Sequence, residues 1–253
     1  MATRNNWTEA ETTLAFYYYC QIPFGKIHQS NPEIKRIGDL IGRSYAAVVR
    51  KMGNLAHYDP SQRERNIVGL SHASKLDRII VEKYINDWDS LAFEAKSIEA
   101  TYLGKSIEEI VEINDEFPEG QDVLQIVATR LNQDFFREAV LSSYRYACCI
   151  TGMTGPDLLI ASHIKPWKDS DWKKERTNPR NGLCLNALHD KAFDRGLLTV
   201  LPDFTIRVSS KLSGTDEGTA WIKQCNKQTI ILPDKFLPSK EYLEYHNDVV
   251  FQP

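Results

Sequence analysis

Apolar residues recur at helical spacing over most of the first third of the chain. Thr8-Glu9-Ala10-Glu11 has the T-x-x-E form of a capping box and opens an apolar run through Leu14, Ala15, Phe16 and Tyr18. This predicts a helix to about Tyr19, ended before Pro23 and Gly25. Pro32 stands where a second helix would begin, and Ile34, Ile37, Leu40 and Ile41 keep helical spacing over Glu33 to Ile41. Gly42-Arg43-Ser44 forms a short turn with Ser44 as N-cap, and a third helix, Tyr45 to Ala56, carries Ala46, Val49, Met52 and Gly53 on one side. A further helix, Ser74 to Trp88, has Leu76, Ile79, Ile80, Tyr84 and Ile85 as its apolar side. From Asp89 to Gln121 the periodicity fades, with Pro118 and Gly120 near the end, which marks a linker that leaves room for some helix. The helical pattern returns from Val123 to Ala147, with Phe135, Phe136, Ala139, Val140 and Tyr144 as its packing face.

Past Ala147 the elements become short. Cys148 to Ile150 reads as a strand entering a turn, and Leu158 to Ala161 as a strand delivering Ser162 and His163 into a basic segment where Pro166 ends it. Asn178 to Gly182 is turn-rich, Leu183 to Leu185 reads as a returning strand, and Ala187 to Arg195 as a short helix stopped by Gly196. The expected fold is therefore α+β, with a helical part over residues 1–90, an acidic linker over 91–121 and a ββα-containing part over 122–253.

At 253 residues, with 42% apolar and 26% charged residues, the composition is that of a soluble globular protein. No leader-like or membrane-spanning run is evident. Five unevenly placed cysteines predict a reducing, cytoplasmic setting. A net charge of −3 excludes a protein that coats nucleic acid by bulk charge, but the charges are not evenly spread. Lys35 to Arg65 holds seven Lys/Arg against three acids, and His163 to Arg180 holds six against three. One lysine faces seven acids between Thr101 and Gln125, so two basic islands flank an acidic one.

The helix, Gly-containing turn and helix around Gly42 have the form of a helix-turn-helix, which would expose Arg43, Tyr45, Arg50, Lys51 and Asn54 to DNA; a plain helical hairpin is the alternative. In the ββα region His163, Asn181 and His189 stand out. Phosphodiester hydrolysis needs a base for water, a cation on the phosphate and positional control of both. An imidazole at a strand end, His163, suits the base, and a second on the facing helix, His189, suits a metal ligand. Asn181 can bridge the backbone on both sides of the loop, and Lys165, Lys173, Lys174 and Arg180 can grip phosphates. His28, His57, His72 and His246 lack such context and read as structural or surface residues. Cys149 and Cys184 read as small buried residues, and Trp167 and Trp172 as packing residues within reach of a base or sugar.

The blocks CCITG, ASHIKPW and NPRNGLCLNALHDKAFDRGLLTV resemble the HNH nuclease motif, in particular that of bacterial restriction-type HNH proteins, over roughly Gln133 to Ser209. The segment from NWTEAE to GRSYAAVVRKMGNLAHYDP is similar to one that accompanies such nucleases. The resemblance implies a ββα-metal finger with one divalent cation, Mg²⁺ first and Mn²⁺ or another as alternatives. It makes His163 the general base, Asn181 the orienting residue and His189 a metal ligand. It implies a restriction or phage-defence endonuclease acting on double-stranded DNA, and a homodimer if both strands are cut. A nicking or modification-dependent nuclease and an inert DNA-binding regulator are the rival readings. Two departures matter. Many relatives place Asp or His before the base, where this chain has Ser162. The second ligand thus lies open among Asp194, Asp190, Asp169 and Asp171, with Asp194 turned about 140° from His189 on a regular helix. The paired C-x-x-C of a structural zinc knuckle is also absent, so no zinc is expected.

Overall fold

The computed structural model describes residues 6–65, 67, 73–111 and 123–253. His72, Pro118 and Gly120 lie outside the described residues. The chain forms two compact units, residues 1–135 and 136–253.

In the first unit α1 (Glu9–Gln21) is opened by the anticipated box, in which Glu11 N donates to Thr8 Oγ1 at 3.1 Å and Thr8 N to the Glu11 carboxylate at 2.8 Å. Every residue from Glu11 to Cys20 is buried, so α1 is a central helix and its apolar run has no solvent face. Around it stand α2 (Pro32–Ile41), α3 (Tyr45–Tyr58), α4 (Pro60–Glu64), α5 (Lys75–Tyr84) and α6 (Trp88–Leu103), followed by α7 (Ile107–Ile110) and the first part of α8 (Val123–Ser143). Gly42 ends α2 in the left-handed conformation, φ 66°, and Ser44 caps α3.

Several expectations need correction here. The single helix Ser74 to Trp88 is two, because Asp87 caps a new helix by accepting from Ser90 N. Much of the expected linker is α6, which buries Leu91, Ala92, Ala95 and Ala100 and packs on α1. Its polar residues obscured this, since Glu99 is buried among Tyr18, Arg36 and Lys96. The core side of α3 is Val48, Lys51, Met52, Leu55 and Ala56, whereas Ala46, Val49 and Gly53 line a surface groove with Phe24 and Ile27. Two cations expected on DNA are held inside the unit. Arg43 forks onto Glu11 at 3.0 and 2.8 Å beneath Trp7, and buried Lys51 pairs with Asp77. Arg50 remains exposed.

In the second unit the last part of α8 covers a hairpin of β1 (Leu159–His163) and β2 (Gly182–Asn186), antiparallel with His163 opposite Gly182 and Ser162 opposite Leu183. A Cβ on Gly182 would sit 2.3 Å from Val140 Cγ2, so only glycine lets α8 close on this strand. The expected strand at Cys148 to Ile150 is instead a turn, docked onto β2 by Cys149 N donating to Cys184 O at 2.8 Å. After the hairpin come α9 (Ala187–Asp194), the ribbon β3 (Leu198–Val200) with β4 (Ile206–Val208), α10 (Glu217–Lys223) and α11 (Lys240–Tyr245), which runs into a π-helical turn at His246–Val250. Gly196, at φ 66°, leaves room for that turn, for a Cβ there would meet Val250 O at 2.1 Å. No described helix is long and apolar enough to cross a membrane.

Candidate functional site

His163 ends β1 half-buried, stacked on Phe136 with ring centroids 3.9 Å apart and planes 10° apart, and with Trp167 edge-on at 5.5 Å. Its Nε2 lies 2.8 Å from Arg176 O. A carbonyl can only accept, so Nε2 carries the proton and Nδ1 of the neutral ring is the acceptor. Burial pushes the imidazole below its ordinary range, the Arg176 carbonyl opposes this and the Arg176 charge adds to it, so the ring is neutral near pH 7.

Asn181 is fully buried and knits the loop that follows β1. Its Oδ1 accepts from Lys165 N at 2.8 Å, while Nδ2 donates to Lys165 O at 3.2 Å, Glu175 O at 3.2 Å and Ser170 Oγ at 3.3 Å. Because the loop carries both His163 and Arg176, these bonds fix the partner of the imidazole as well as the chain after it.

A cleft of about 930 Å³ opens beside His163, lined by Ser162, Trp167, Lys168 and Asp169 and by Asp190, Lys191, Asp194 and Arg195. Burial raises the Asp190 carboxyl above the usual carboxylate range, offset in part by Ser162 and Lys191. Burial and then the negative charge of Asp190 raise Asp194, against Lys191 and Arg195. Ser162 Oγ is buried without a hydrogen bond of good geometry.

His189 is not among the residues lining this cleft. It faces the core with Ala192 and Phe193, its Nδ1 donating to Asn186 Oδ1 at 3.0 Å and its Nε2 3.5 Å from Cys225 Sγ, which also lies 3.6 Å from Trp221 O, with the Trp221 ring edge-on at 4.8 Å. The turn of about 140° between residues 189 and 194 is what brings Asp194 out to the cleft when His189 points inward. Asp190 and Asp194, one turn apart, share that outward face.

Of the other expected residues, Lys165 pairs with Glu175 at 2.6 Å and lies over the Tyr245 ring, and Arg180 donates through Nε to Leu237 O at 3.1 Å. Lys173 and Lys174 are exposed, their backbone N–H groups held by Asp171. Phe136, Lys168, Lys191 and Arg195 were not anticipated. The doublets Asp190-Lys191 and Asp194-Arg195, repeated at a helical interval, were the available signal.

A divalent cation fits the oxygen-rich wall of the cleft. Two carboxylates crowded on one helix face, Asp169 on the same lining and the Ser162 hydroxyl beside Asp190 are hard donors, and Mg²⁺ commonly takes one or two carboxylates while keeping several waters. Among the described residues no three His, Cys, Asp or Glu side chains stand close enough to form a complete protein cage. All five cysteines are free and buried.

No curated protein matches the chain significantly. The family model for HNH endonuclease matches residues 148–201, which span the docked turn, both hairpin strands, α9 and β3. The stretch from Cys148 to Leu201, with His163 at its strand end and Asn181 behind it, thus belongs to the HNH endonuclease superfamily.

Proposed function

We propose that the protein is a metal-dependent endonuclease that hydrolyses DNA phosphodiesters with His163 as general base, in a restriction or phage-defence role. The observation that carries this reading is the His163 ring: neutral, packed by Phe136 and Trp167, with Nε2–H spent on a carbonyl and Nδ1 left as acceptor beside a cleft lined by Asp169, Asp190 and Asp194. His163 Nδ1 takes the proton of a water as its oxygen bonds to phosphorus and the P–O bond to the leaving strand breaks. Asn181 acts as a positioning residue through the loop, not by touching substrate. Asp190 and Asp194, rather than His189, would hold the divalent cation, with Mg²⁺ or Mn²⁺ best suited to the donors. Such a cation, when bound, neutralises phosphate charge as the bond breaks.

One such site cuts one strand, so double-strand cleavage would take two copies, and a homodimer is the form expected of a restriction enzyme. The helical unit would help choose the DNA, with Arg50 as its available cation now that Arg43 and Lys51 are paired internally. Incubating supercoiled plasmid, modified and unmodified, with the protein and Mg²⁺, Mn²⁺ or EDTA tests the reading. Conversion to nicked or linear DNA that stops in EDTA supports it. Binding without cleavage in either metal would instead leave a DNA-binding regulator.

A further inference from the structure

The cations around the cleft fall into two groups. Lys165 is paired with Glu175, Arg176 donates to Ser170 O at 3.2 Å and lies over Trp167 at 4.9 Å, and Arg180 is tied to Leu237 O. These hold the loop. Lys168, Lys191 and Arg195 line the cleft, yet among the described residues their side chains make no hydrogen bond, ion pair or ring contact.

The charges on α9 fall in two rows. Opposite charges four residues apart stabilise a helix, and like charges at that interval weaken it by a few tenths of a kcal/mol. Here Asp190 lies four residues before Asp194 and Lys191 four before Arg195, so both pairs are like-charged. The helix presents an acidic row and, one residue round, a basic row, both along the cleft wall. Lys191 and Asp194, three residues apart, offset this repulsion in part, but both rows face the cleft, where a bound cation would relieve the first and a bound anion the second.

Building on the nuclease reading, we propose that Lys191 and Arg195 on α9, with Lys168 on the same cleft, are the clamp for the phosphodiester backbone being cut. The strand runs along the cleft, its charge met by three cations that form no ion pair and its scissile phosphate beside His163. Lys165 and Arg180, which looked like phosphate ligands, are loop struts.

The clamp is tested in the full-length protein carrying His163→Ala, so that bound duplex is not consumed. Binding of a fluorescent DNA duplex is titrated over a range of salt concentrations for this parent and for added Lys168→Gln, Lys191→Gln and Arg195→Gln. Each contacted phosphate contributes about 0.9 to the slope of log K against log [salt]. Each substitution should lower the slope by about 0.9, alike for all duplex sequences, and Arg195→Lys should restore it. The side chains are solvent-facing, so thermal melting should match the parent. Slopes equal to the parent's, or a parent that binds no duplex, overturn the clamp. The protein with His163 intact is assayed for cleavage in parallel. Cleavage with unmoved slopes defeats the clamp alone, whereas lowered slopes without cleavage defeat the nuclease reading and keep the clamp as a nucleic-acid site.

Discussion

His163 Nε2 and the backbone oxygen of Arg176, 2.8 Å apart across the loop, fix which imidazole nitrogen holds a proton and which can accept one. Because the partner is a carbonyl, the tautomer does not depend on pH or on a neighbouring side chain. Burial meanwhile keeps the ring neutral to lower pH than an exposed histidine.

The first prediction concerns pH. The base works only when unprotonated, so single-turnover cleavage should fall as pH drops through the pKa of His163 and level off above it. Since that pKa is lowered, the midpoint should lie below the ordinary imidazole value of about 6.5. A midpoint above 7 in the acid limb would contradict the assignment.

A second follows from α9. Asp190→Asn and Asp194→Asn should each weaken Mn²⁺ binding, read by calorimetry, by at least about 10-fold, since losing a direct ligand costs no less than losing an outer partner of one. His189→Gln should leave Mn²⁺ affinity nearly unchanged and lower the melting temperature, since it removes a ring packed on Cys225 and Trp221. The reverse pattern would return the ligand role to His189.

Asn181 gives a third. In Asn181→Asp the Oδ1 acceptor survives, but the amide donor to Lys165 O and Glu175 O is lost and two carbonyls face a carboxylate. Expected is a fall in kcat of about 100-fold with KM little changed, as for a misplaced base rather than lost binding. A rise in KM at constant kcat would make Asn181 a substrate contact instead.

The fourth concerns stability. His246 is buried, stacked on Phe193, with Nδ1 accepting from Thr199 Oγ1 at 2.8 Å and Nε2 donating to Phe193 O at 3.2 Å, and burial lowers its pKa to about 4. Between that value and the unfolded value near 6.5 the unfolded chain binds more protons, so stability is complete above about 6.5 and is lost as pH falls toward 4. The loss from this group is on the order of 3 kcal/mol. Burial lowers His163 and His189 in the same sense, so the drop should be steeper than one group gives. Denaturant unfolding at pH 7 and 4.5 should show a smaller difference in His246→Asn than in the parent; an equal difference refutes it.

The chain signalled what is local. The Thr8 box, Pro32 at the start of α2 and the Ser44 cap each rest on residues within a few positions, and the hairpin strands that bring His163 beside Gly182 were legible from their own short apolar runs. What it obscured depends on distant partners. The phase of α9 is set by the core that receives Phe193 and His189, and the sequence does not say which face that is. Arg43, Lys51 and Lys165 looked available for DNA because Glu11, Asp77 and Glu175, which bind them, are remote or across a loop. The α6 segment read as linker because Glu99 is buried against Tyr18 and Arg36, far away in sequence, as well as Lys96.

The most direct measurement is nicking of supercoiled plasmid in Mn²⁺ by the intact protein beside its His163→Ala form, with duplex binding recorded for both. Cleavage by the former and its loss by at least about 100-fold in the latter, at comparable DNA affinity, is the expected result for a general base. Cleavage that persists without the imidazole would contradict the central claim.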